Sequence, residues 1–138
     1  MPQPYAAKTL ISCTLALLLS ACAGSHYQPQ SLSGQVSLAQ PLKLARDSTM
    51  VHLVLLDVSG SGGGAALLAE QFLAKPAQFP LGFDLRYDQS AISANDHYQL
   101  NAQVYSEGEL LLQGTQALTA LPHGLPATQN IEVRALGQ

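Results

Sequence analysis

Cys22 is the residue whose setting in this 138-residue chain prescribes a covalent modification. It closes the run Leu19-Ser20-Ala21-Cys22, behind an apolar segment from Leu10 to Leu19 and a cation at Lys8. A positive leader, an apolar h-region of about ten residues and small residues before a cleavage point make a secretory signal, and the apolar stretch is too short to span a bilayer as a helix. With a cysteine at the cleavage point, the layout is that of a bacterial lipoprotein signal. On this reading residues 1–21 are removed, Cys22 becomes the first residue, and acyl chains on it tie the rest of the chain to a membrane surface. One acyl chain binds only marginally, so stable attachment needs more than one. Ala23 stands where an aspartate would mark retention at the inner membrane of enterobacteria. By resemblance to that sorting signal, and not on physical grounds, the expected location is the outer membrane, facing the periplasm.

No second constellation prescribes chemistry. His26, His52, His97 and His123 are far apart and lack metal-ligand spacing. None of the serines sits in a Gly-x-Ser-x-Gly elbow, and Gly60-Ser61-Gly62 lacks the lysine and helix of a phosphate-binding loop. Glu107 and Glu109 flank a hairpin tip, where exposed acids stay solvated; a general acid/base pair needs burial to separate its pKa values. Asp57 and Asp88 end apolar runs and read as turn-builders that accept backbone N–H groups. The chain is thus expected to be no enzyme, with no catalytic residues, no metal and no cofactor.

Composition agrees. Without the signal, 117 residues remain, one domain with enough chain to bury a core. Lys43, Arg46, Lys75, Arg86 and Arg134 face nine carboxylates, a net charge of −4. Such a chain lacks the cationic stripe that nucleic acid requires. Cys13 leaves with the signal and Cys22 is acylated, so no disulfide is expected. No later apolar run approaches the ~20 residues of a membrane-spanning helix.

The elements that follow read as strands. Residues 22–31 are the acylated cysteine and a polar tether, and residues 32–138 the folded domain. Apolar and polar residues alternate through 32–38, 51–56, 79–86, 98–104 and 131–135, the period of half-buried strands. Ser106-Glu107-Gly108-Glu109 is a hairpin turn into 110–116. Ala65 to Ala74 is rich in helix-forming Ala, Leu and Glu, but strand neighbours and the preceding Gly-rich run favour a strand. Asp96-His97-Tyr98 opens a strand in the manner of a tyrosine corner, where the phenol bonds back to backbone across an arch. About seven strands result, and the expected fold is all-β, a Greek-key-like β-sandwich. If one face of each strand packs the core, Val54, Leu56, Leu68 and Phe72 are left as an apolar area on the outer face. A contiguous area of that kind marks a partner site; a covering loop, 89–97 or 117–129, would account for the same pattern.

The order and spacing of several short runs resemble the YbaY/YscW family of bacterial lipoproteins. The runs are Ser33-Gly34-Gln35-Val36, Val54-Leu55-Leu56-Asp57-Val58-Ser59 and Pro80-Leu81-Gly82-Phe83-Asp84-Leu85-Arg86-Tyr87-Asp88, then Ile92, Tyr98-Gln99-Leu100-Asn101-Ala102 and Gly108-Glu109-Leu110-Leu111. Gln89 departs from the family's frequent proline after the Tyr-Asp pair, which implies a looser turn. The resemblance implies a small β-sandwich lipoprotein of the outer membrane. Some relatives are pilotins, which bind an outer-membrane secretin subunit and deliver it by means of their lipid. The expected function is a non-enzymatic envelope binding or chaperone module, with the membrane and a secretin-like protein as partners. An envelope polysaccharide-binding or -processing protein, or a purely structural lipoprotein, is the alternative. The absence of Trp and the few exposed aromatics, Tyr27 and Tyr105, argue against sugar stacking.

Overall fold

A computed structural model describes residues 26–137, together with Pro2. Lys8, the h-region, Cys22 and Ala23 lie outside the described residues. Seven strands form the body: β1 (Pro29–Leu38), β2 (Thr49–Asp57), β3 (Ala66–Ala74), β4 (Leu81–Asp88), β5 (His97–Ser106), β6 (Glu109–Thr119) and β7 (Ile131–Ala135). Short 3-10 turns, Arg46–Ser48 and Gln89–Ala91, precede β2 and follow β4. All seven strands join one sheet in the order β3-β2-β5-β6-β7-β1-β4. β1 and β7 pair in parallel, and the other ladders are antiparallel. The two edge strands, β3 and β4, come alongside each other without a ladder. The all-β body is as expected, and its two layers are halves of one sheet curled nearly into a barrel.

The alternation in the sequence places the core. Leu53, Leu55, Leu100, Val104, Leu32 and Ile131 are among the side chains pointing inward and almost wholly buried. The segment 66–74 is a strand despite its helical composition. Helix propensities differ by only tenths of a kcal/mol per residue, while pairing along β2 lets Leu68, Ala69 and Leu73 pack against the core. Two glycines are required by close approach. A Cβ on Gly34 would stand 1.6 Å from the Gln129 carbonyl oxygen, and one on Gly114 would stand 2.1 Å from that of Glu132. Glu107 (φ 53°) and Gly108 (φ 83°) both adopt the left-handed region that a two-residue hairpin turn demands.

β1 starts at Pro29, three residues earlier than the polar composition indicated, and Gln28 is already bonded to its surroundings. Its N–H donates to Asp88 Oδ1 (3.0 Å), and its carbonyl accepts from the Gln89 N–H (2.8 Å). Gln89 also donates through Nε2 to the His123 carbonyl (2.7 Å). A proline could make neither bond, so glutamine here ties the turn down instead of loosening it. The chain enters the barrel at this end, where loops 89–96 and 120–130 also lie. The opposite end is formed by residues 39–48, the connection 75–80 and the hairpin 107–108.

Candidate functional site

The outer face of β2 and β3 brings together most of the apolar residues singled out above. β2 pairs with β3 in the register His52↔Phe72, Val54↔Glu70 and Leu56↔Leu67. Each of these pairs lies on the side of the sheet away from the core. Phe72 is 55% and Leu67 is 56% exposed, while Val54 and Leu56 are half-buried beside them. Among the described residues, neither of the two candidate covering loops lies over this face. Loop 89–96 instead arches over Tyr98, and Leu125 in loop 120–130 is buried under the tether end.

Leu68 does not belong to this face. The register of β2 and β3 shifts between Leu55, paired with Ala69, and Leu56, paired with Leu67. Leu68 is the extra residue of that β-bulge, and it packs against the core. A bulge places one more residue in its strand than strict alternation counts. Leu67 therefore takes the outward place that alternation assigns to Leu68. The face also holds two residues that apolar patterning overlooks. His52 stacks on Phe72, with ring centroids 4.2 Å apart and planes 4° from parallel. Its Nε2 lies 3.0 Å from Glu70 Oε2. The stack lays one face of the Phe72 ring against His52 and leaves its other side open.

The remaining polar residues build structure. Asp57 Oδ1 accepts from the Ser59 N–H (2.9 Å), and that bond holds the carboxyl below its usual pKa. Asp88 is held low in the same way, first by the Gln28 N–H and then by Ser90. Tyr98 Oη accepts from the Ser93 N–H (2.8 Å) across the expected arch. Tyr87 Oη does the same for the Leu125 N–H (3.1 Å), a second latch that the sequence did not single out. Among the described residues, no three His, Cys, Asp or Glu side chains converge as metal ligands. No helix there is long and apolar enough to cross a membrane. Glu107 and Glu109 are exposed at the hairpin tip, and His26, His97 and His123 are exposed on separate segments.

The fold has a solved counterpart. An alternative pilotin from the type II secretion system of Vibrio cholerae superimposes with a TM-score of 0.63 at 24% identity, covering 80% of this chain and 100% of that one. No curated protein matches the chain. The model of one family, the type III secretion system lipoprotein chaperone YscW, matches residues 27–133, which span the barrel from the residues before β1 into β7. This chain belongs to the YscW family of lipoprotein chaperones.

Proposed function

We propose that this protein is a lipid-tethered, non-enzymatic chaperone of the pilotin type, held at the outer membrane by acyl chains on Cys22 and facing the periplasm. Its partner is a segment of an envelope protein, a secretin-like subunit, which docks on the outer face of β2 and β3. Confinement by the lipid raises the local concentration of that face near the membrane without any new contact. The apolar face next to an unpaired strand edge suits an extended or amphipathic segment, because both present apolar side chains at regular spacing. Membership of a family of lipoprotein chaperones supports the role. The observation that carries the docking face is the pair of half-exposed large side chains, Leu67 and Phe72, beside Val54 and Leu56. Glu70 stands between Phe72 and Leu67 on β3, so the apolar surface runs past it through Val54 and Leu56 on β2; an exposed apolar area rimmed by polar groups marks a partner site.

The test is crosslinking in intact cells followed by mass spectrometry, comparing the natural chain with Phe72→Asp and Leu56→Asp. Both variants should keep a cooperative thermal transition, since neither residue is in the buried core. Both should lose the crosslinked partner by at least ten-fold. Unchanged capture by two folded variants would remove this face from the account.

A further inference from the structure

Two clefts open at the end of the barrel away from the tether. One, of about 390 Å³, lies between residues 39–42 and β7, with Leu112 and Val133 in its lining. The other, of about 500 Å³, lies between residues 38–46 and the connection 76–79, with Leu44 and Phe79 as apolar walls. Pro41 and Leu42 line both. Leu42 is 48% exposed, a large apolar side chain standing between two hollows. A segment laid across this end meets both clefts at once.

The charge of the larger cleft runs against that of the chain. Its charged lining residues are Lys43 and Arg46, and no carboxylate lines it. Two of the five cations that follow the signal therefore converge where none of the nine carboxylates does. Among the described residues the Lys or Arg side chain paired with a carboxylate is Arg134, with Glu132, so neither Lys43 nor Arg46 is neutralised by a carboxylate. Asp47 follows Arg46 in sequence but does not line the cleft. Arg46 Nε donates to the Lys75 carbonyl (3.3 Å). That bond steadies the guanidinium and leaves its terminal nitrogens for a ligand. In the smaller cleft Arg134 and Glu132 satisfy each other at 2.6 Å, so its lining carries no net charge.

We infer that this end is a second docking site, which takes an acidic protein segment bearing apolar side chains. The inference rests on the chaperone reading above and adds to it the chemistry of the segment. Carboxylates of the partner meet Lys43 and Arg46, and its apolar side chains fill the hollows on either side of Leu42. The same cations would suit a lipid headgroup, but the geometry favours a protein. β1 carries the chain from Pro29 to Leu38, ten residues or about 30 Å at ~3.3 Å per residue, from the tether end to the clefts. The tether thus brings its own end of the barrel towards the bilayer and leaves the clefts on the far side, away from lipid headgroups.

A fluorescent peptide alternating leucine and glutamate, its leucine–lysine counterpart and vesicles of anionic phospholipid are the probes. The acidic peptide should bind the natural chain, more weakly as salt screens the charges, and the basic peptide should not. Lys43→Glu with Arg46→Glu should weaken acidic-peptide binding at least ten-fold, and Leu42→Asp should do so with the cations intact. Vesicles that bind through the same cations and displace the peptide would overturn the protein ligand in favour of a membrane. Peptide binding indifferent to all three substitutions would overturn the site. In cells, a partner lost by Phe72→Asp but kept by Lys43→Glu/Arg46→Glu leaves the β2–β3 face standing and sinks this inference alone. A partner kept by Phe72→Asp and lost by the charge reversal does the opposite.

Discussion

Two tyrosines latch the loops at the tether end, and each does so with one atom. The Tyr98 ring is buried, and its Oη is the acceptor for the Ser93 N–H (2.8 Å). Without that acceptor, a part-buried backbone donor loses its partner. Tyr98→Phe keeps the ring and removes the acceptor, so it should cost about 1 kcal/mol, the usual net value of such a bond. The same residue sets an alkaline limit. Burial pushes its phenol above the ordinary value of about 10. The folded state therefore favours the neutral form. That contribution is complete below the unfolded pKa and is lost as pH rises through the folded one. Denaturant melts at neutral pH and above pH ~10 should show the natural chain losing stability more steeply with pH than Tyr98→Phe. An equal slope in both proteins would show that this phenol does not titrate with unfolding.

At the scale of elements, the bulge in β3 decides which leucine faces outward on the proposed docking face. Leu67 and Leu68 are neighbours of the same type, yet one is 56% exposed and the other packs on the core. Leu67→Asp should leave stability within about 0.5 kcal/mol, as exposed substitutions do, and should weaken partner capture. Leu68→Asp should cost about 2–3 kcal/mol by forcing a carboxylate against apolar neighbours. Thermal melts of the two variants, run side by side, check the assignment. A reversed order would place the bulge elsewhere. This pair also marks the limit of what patterning reveals. Strands show in the sequence because alternation is local, and so is the turn chemistry of Asp57, Asp88 and Glu107-Gly108. Tyr98 was legible because its arch spans only the few residues from Ser93. A bulge is set by the partner strand, and the sequence of β3 alone does not reveal it. The Tyr87 latch to Leu125 and the clefts around Leu42 join segments distant in sequence, so no window of residues contains them. Val54, Leu56 and Phe72 were legible on the outer face of β2 and β3, whereas His52 and Glu70 were not, because only the register of β2 against β3 brings them to the Phe72 ring.

For the whole molecule, folding is separable from the anchoring proposed at Cys22. The body is held by the inward residues of seven strands and by latches within residues 26–137, all of them downstream of Cys22. Among the described residues, the first so held is Gln28, through Asp88 and Gln89. Between Cys22 and Gln28 the chain can extend to about 20 Å at ~3.3 Å per residue, enough to stand the barrel off a membrane without loading it. Cys22→Ser should therefore move the protein from the membrane to the soluble fraction and end labelling by palmitate. The melting temperature of the released body should match that of the natural chain, and so should its affinity for a partner segment in dilute solution. What changes is delivery: without the lipid, the local concentration of the docking face at the membrane falls, and assembly of the partner there should fall with it. If the serine variant still fractionated with membranes, the anchor would have to be sought in the barrel itself, and its exposed apolar faces would then be read as membrane contacts.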